Sequence, residues 1–279
     1  MKQPAGINLG TSAFTAAGWE GSFYPAGLRS AEYLSYYAQH FNTVEVDSTF
    51  YRIPSLSTVR GWYAKTPQEF IFAAKVPQTI THERVLVDCD AELRKFLATM
   101  DCLGEKLGPL LFQFGYFNKS AFASVDQFLA RLVPFLGKLP KGYKFAVEIR
   151  NKHWLVPKLA NALRGHGVAL ALIDQLWMPR PAEWFARFDP ITAGFAYIRW
   201  LGDRKGIEEQ TKTWDKTIVD RSGDLREWVD VVYKINGRGI PVFAYANNHY
   251  AGHAPATVEL FRELWKGRAK SDLSIPKRG

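Results

Sequence analysis

The sequence predicts a single-domain α/β protein folded as a TIM-type (β/α)8 barrel. Three observations carry this. The length, 279 residues, suits one barrel of ordinary size. Eight short β-branched or aromatic runs alternate with longer helical patterns along the chain, which is how parallel strands with crossover helices read in sequence. Polar residues gather late in those runs, at the end where barrels build their sites. An open, doubly wound sheet is the alternative that the same alternation allows.

Taken in order, the first run is INLGTS at 7–12, followed by the helical pattern SAEYLSYYAQHF. The second is TVEVDSTFY at 43–51; read as a strand, it puts Val44 and Val46 on one face and Glu45, Asp47, Thr49 and Tyr51 on the other. In a barrel that second face looks into a polar mouth. FIFAAKV at 70–76 ends near Lys75, and the helical AELRKFLATMDCLG follows. PLLFQFG at 109–115 carries Gln113 between two phenylalanines and leads to VDQFLARLVPFLG. KFAVEIR at 144–150 turns Phe145, Val147 and Ile149 outward and Ala146, Glu148 and Arg150 inward, before the helical VPKLANALRGHG. ALALID at 169–174 closes on Asp174, expected at the mouth. GFAYIRW at 194–200 faces Tyr197 and Arg199 inward and Ala196, Ile198 and Trp200 outward. The long stretch 201–223 then hangs over the rim before the helical GDLREWVDVVYKI. PVFAYANN at 241–248 ends on Asn247 and Asn248, and APATVELFRELW completes the pattern.

Composition limits the function classes. No run approaches the roughly 18 apolar residues of a membrane span, and the N-terminus lacks a signal-peptide pattern, so a soluble, cytoplasmic protein is expected. Cys89 and Cys102 match no metal spacing and read as reduced packing residues. The net charge is +9, but Lys266, Arg268, Lys270, Lys277 and Arg278 stand near the C-terminus against Asp272 alone. The expected division is a barrel over 1–268 and a basic tail over 269–279; the segment from Lys266 onward holds four of the nine surplus charges, which leaves the rest of the chain only mildly basic.

The blocks GTSAFTAAGWEGSFYP, FNTVEVDSTFYRIP, FAAKVPQTITH, GEKLGPLLFQF, AVEIRNKHW and YANNHYAGHAP, with Asp174 and YIRWLG between the last two, resemble the YecE-like family, domain of unknown function 72. They come in the family's order and span nearly the whole chain. The resemblance implies a TIM-type barrel, similar in outline to metal-dependent endonuclease and sugar-isomerase barrels, and no assigned reaction. This chain departs from the family pattern at Ala13-Phe14, where Gly-Trp is usual, and at Gly115-Tyr116, where Pro-Pro is usual. It also has Leu201-Gly202 where the family has His-Gly, so no role passes to a histidine there.

Several chemistries fit the rim residues. Barrels often bind phosphate at the loops after strands seven and eight and at a helix N-terminus. Here that reading groups Arg199, Asn247, Asn248 and the helix start at 253–256, with Lys75, Gln113, Arg150, Tyr51 and Trp154 as further ligand-binding candidates. Arg199 paired with Asp174 or Glu148 is the structural alternative. Glu148 and Asp174, on adjacent strands, are candidate acid–base groups for a hydrolase or lyase, with His82 as a proton shuttle. Glu45, Asp47, Glu148 and Asp174 with His82, His153 or His249 hold enough donors for a divalent ion, although no compact metal signature is present. No metal residue is therefore assigned and no cofactor is identified. Trp19, Trp154, Trp177 and Trp214 fall in rim loops, where they could stack on a base or sugar. The expected partner is a small anionic ligand or a nucleic-acid backbone, with a non-enzymatic nucleic-acid binder and a metal-dependent phosphoesterase as rivals.

Overall fold

The structure, a computed structural model, describes residues 6–273. Eight strands form one parallel sheet: β1 (Ile7–Thr11), β2 (Thr43–Val46), β3 (Ile71–Lys75), β4 (Leu107–Gln113), β5 (Phe145–Glu148), β6 (Ala169–Gln175), β7 (Ala196–Gly202) and β8 (Val242–Ala246). The helices are α1 (Tyr33–His40), α2 (Leu56–Ala64), α3 (Asp90–Met100), α4 (Val125–Gly137), α5 (Pro157–Gly165), α6 (Pro181–Arg187), α7 (Arg204–Gln210), α8 (Ser222–Asn236), α9 (Asn248–Ala251) and α10 (Ala254–Leu273). The strands run in the order β1-β8-β7-β6-β5-β4-β3-β2, so the sheet curls into a barrel with one seam, between β1 and β2.

Side chains close that seam in place of a backbone ladder. Asn42 Oδ1 accepts from Leu9 N at 3.1 Å, and Asn42 Nδ2 donates to Asn8 Oδ1 at 3.0 Å. The Tyr37 hydroxyl accepts from Thr11 N at 2.9 Å and lies 3.1 Å from the Thr43 carbonyl oxygen. Gly10 lets the two backbones meet, because a Cβ there would overlap the Thr43 carbonyl.

Local signals explain where the helices begin. Ser55 accepts from Thr58 N to cap α2, and Ser124 accepts from Gln127 N to cap α4. Proline occupies the first turn of α5 and of α6, where its missing N–H costs nothing. The outward strand faces and the inner helix faces fill one apolar layer, including Phe112, Phe128, Ile198, Trp200, Trp228 and Phe261.

Three sequence expectations change. β2 stops at Val46, and Asp47–Phe50 form a 3-10 turn in which Thr49 Oγ1 lies 2.8 and 2.7 Å from the Val46 and Lys75 carbonyl oxygens. Tyr51 therefore does not continue the inward face of a strand. The stretch 201–223 is not one open loop, because α7 folds within it. The basic tail expected from 269 begins as the end of α10, and residues 274–279 lie outside the described residues. Among the described residues, no helix is long and apolar enough to cross a membrane.

Candidate functional site

The strands deliver a charged layer to the C-terminal end of the barrel. Glu45 on β2, Glu148 on β5 and Arg199 on β7 all point inward from different sides, and they meet. Arg199 Nη1 donates to Glu148 Oε2 at 2.6 Å, while its Nε and Nη2 donate to Glu45 Oε1 at 3.1 and 2.7 Å. The Tyr197 hydroxyl donates to Glu45 Oε2 at 2.5 Å, and Arg150 Nε donates to Glu148 Oε1 at 2.9 Å. Every carboxylate oxygen of this layer has an N–H or O–H donor. Glu148 is 0% exposed and Arg199 2%, so the layer is a sealed floor. Burial by itself would raise the Glu148 pKa, but the charges and hydrogen bonds of Arg199 and Arg150 outweigh it and hold the carboxyl at about 2. Tyr197 is pushed well above its ordinary value by burial and by Glu45, so it stays a donor.

Above this floor lies a cavity of about 420 Å³. Its walls include Lys75, His82, Gln113, Arg150, Gln175 and Asn247. Lys75 Nζ lies 2.9 Å from Asp47 Oδ1 and 3.9 Å from the centre of the Phe50 ring, which orients the ammonium. Arg150 spends its Nε on Glu148, and neither Nη atom has a hydrogen bond among the described residues. The His82 ring packs edge-on against Phe50, with Nδ1 2.8 Å from Thr81 Oγ1. Burial first, then the nearby charges of Lys75 and Arg150, lower its pKa, so the imidazole is neutral at neutral pH. Gln175 is buried and its Oε1 has no partner among the described residues, an acceptor waiting at the wall. On the far side His249 Nε2 lies 2.9 Å from Glu208 Oε1, and Arg204 Nε donates to the same oxygen at 2.9 Å.

Of the residues singled out in the sequence, Tyr51, Lys75, His82, Gln113, Arg150, Arg199 and Asn247 meet at this cavity, with Glu148 sealed beneath them. Three do not. Asp174 points out of the barrel, where it accepts from Trp228 Nε1 at 2.7 Å, the Tyr250 hydroxyl at 2.8 Å and Arg180 Nη1 at 3.2 Å. The reason is register: Asp174 pairs with Trp200 and shares its outward face. Glu148 and Asp174 are thus not a facing acid–base pair, and Arg199 pairs with Glu45 and Glu148 rather than with Asp174. Asn248 Oδ1 is held by Trp19 Nε1 and by Ala254 N, which ties α9 to the start of α10. Trp154 is buried in an aromatic stack with Phe117 and Phe128. Among the rim tryptophans Trp19 is also buried, Trp214 packs edge-on against His249, and Trp177 is exposed.

The same register shows what the sequence reading missed. Gln175, not Asp174, continues the inward alternation of β6 into the cavity. A divalent ion does not suit this donor set, because the Arg199 guanidinium already lies between Glu45 and Glu148. Among the described residues no group of three or more His, Cys, Asp or Glu side chains is placed to hold a metal.

The family described as "Protein of unknown function DUF72" matches residues 8–278. The chain belongs to that family. UPF0759 protein YecE of Escherichia coli is 31% identical over 146 residues, covering 50% of this chain and 52% of that protein. UPF0759 protein YunF of Bacillus subtilis is 31% identical over 148 residues, with 50% and 51% covered. The chain thus matches about half the length of these curated relatives. A crystal structure of a DUF72 protein from Thermotoga maritima superposes with a TM-score of 0.69 at 25% identity, covering 95% of this chain and 99% of that one. A DUF72 protein from Enterococcus faecalis gives 0.69 at 21% identity, covering 93% and 95%. A D-tagatose 3-epimerase-like protein, 12% identical with a TM-score of 0.55 and covering 96% and 100%, shares the fold alone.

Proposed function

We propose that this DUF72 barrel binds a small anionic ligand, phosphate- or carboxylate-bearing, in the cavity over the Glu45–Arg199–Glu148 floor. The observation that carries the reading is Arg150. One of its nitrogens is fixed by Glu148, which orients the guanidinium, and both Nη atoms remain without a partner among the described residues, at the wall of a cavity large enough for a metabolite. Lys75 supplies a second cation, and neutral His82 supplies a donor or acceptor. Gln175 Oε1 asks for a ligand donor such as a hydroxyl.

The anion is held from the walls and not by Arg199, whose charge is consumed by two carboxylates. Glu148 is no general acid, since it stays ionised and both its oxygens already accept hydrogen bonds. If a proton moves in this site, His82 is the group that carries it.

Isothermal titration with sulfate and with inorganic phosphate tests the reading. Both are expected to bind, with affinity falling about tenfold or more in Arg150→Gln. Asp174→Asn, whose side chain points out of the barrel and does not line the cavity, is expected to leave it unchanged. A chain that takes up neither anion, or an Arg150→Gln variant that binds as well as the parent, sinks the proposal.

A further inference from the structure

A second cavity of about 420 Å³ adjoins the first, and Arg150 lines both. It is built by the loops after β4, β5 and β6. Its floor is the stacked pair Phe117 and Trp154, with ring centroids 5.9 Å apart and planes at 22°. Tyr116, 70% exposed, and Trp177, 47% exposed, stand at its edge. Lys119 and Lys152 join Arg150 among the lining, and no carboxylate does among the described residues.

The loops are set before any ligand arrives. Asn151 Oδ1 accepts from Phe117 N at 2.9 Å and its Nδ2 donates to the Phe117 carbonyl at 2.7 Å, clamping the β4 loop to the β5 loop. Aromatic faces exposed beside Lys119, Lys152 and the Nη edge of Arg150 suit a flat, electron-rich ring attached to an anion.

Building on the anion site proposed above, we infer that the two cavities form one bipartite site for a nucleoside monophosphate. Its phosphate sits between Arg150 and Lys75, and its base enters the aromatic cavity against Trp177 and Tyr116. The occupant is a single nucleotide because each half is a discrete pocket and they share one arginine, leaving room for one anion and one ring.

Titration calorimetry with uridine and adenosine monophosphates, ribose 5-phosphate and inorganic phosphate separates the claims. The nucleotides are expected to bind at least about tenfold more tightly than ribose 5-phosphate, the usual gain from stacking one base on an aromatic side chain. Trp177→Ala and Tyr116→Ala, both at exposed positions, should each reduce that advantage without changing the affinity for ribose 5-phosphate. Equal affinity for nucleotide and ribose 5-phosphate, or a full advantage retained in both variants, overturns the inference and leaves the anion site standing. Loss of binding to every phosphate compound defeats the anion site itself. A 5′-phosphorylated tetranucleotide that binds more than about tenfold tighter than the mononucleotide overturns the single-nucleotide form in favour of a strand-binding groove.

Discussion

Arg199 carries more of the site than any other side chain, although its charge is consumed by two carboxylates. It is buried between two carboxylates and donates three hydrogen bonds to them. Removing it leaves Glu45 and Glu148 facing each other in a dry interior, with Tyr197 and Arg150 as their remaining partners. Breaking one side of a buried ion pair costs about 3–5 kcal/mol, more than a surface pair by several-fold. Arg199→Ala is therefore expected to lower the urea midpoint sharply, and a midpoint near that of the parent would mean the network is not the barrel's charged floor. Asp174 shows why such roles escape a reading of residues one at a time. Alternation along β6 fixes which residues share a face but not which face looks inward; that depends on pairing with β7, and the register that sets Asp174 beside Trp200 is not written in either strand alone. Glu148 and Arg199 were legible as inward because their strands carry bulky apolar residues on the opposite face. Asp174 sits in an apolar run that gives no such contrast.

Among the elements, the strands were legible and their ends were not. Eight apolar runs are visible because each strand must be buried on the helix side. The stop of β2 at Val46 depends on Thr49 reaching the backbone of β3, a contact between segments that no local pattern records. Short rim helices such as α6 and α7 have too few residues for a periodic face. The seam between β1 and β2 was equally hidden, since it is made by Asn42 and Tyr37 in place of paired backbones. It gives an element-level prediction. Gly10→Ala drives a methyl into the Thr43 carbonyl where the strands converge, and the overlap is with backbone that cannot rotate away. A loss of at least about 2 kcal/mol is expected, at the upper end of ordinary overpacking. Gly223→Ala, in the first turn of α8 with open space around its Cβ position, is expected to be neutral or slightly stabilising. Equal effects of the two in denaturant titrations would show that β1 and β2 are not in close contact.

For the whole molecule, the buried floor links stability to pH. Glu148 has a folded pKa of about 2 against an ordinary value of 4.5, so its depressed pKa contributes stability that is fully present above the unfolded value. As pH falls from about 4.5 towards 2 the unfolded chain takes up this proton first, and the contribution, on the order of 3 kcal/mol, is progressively lost. His82, His249 and His253 add to the same trend at higher pH. Burial lowers each of their pKa values, so below about 6.5 the unfolded chain binds protons that the folded one resists. A chain with a net charge of +9 at pH 7 also gains repulsive positive charge on acidification. The expected profile is a plateau near neutrality, a gentle fall below pH 6.5 and a steeper one below pH 4.5. Glu148→Gln separates the floor from the general charge effect. It is less stable at pH 7, because a neutral amide faces two guanidinium groups, but its decline between pH 4.5 and pH 2 is shallower by about one proton's worth of slope. Urea titrations at a series of pH values read this directly, and parallel acid limbs for parent and variant would show that Glu148 does not titrate in the coupled network this geometry requires.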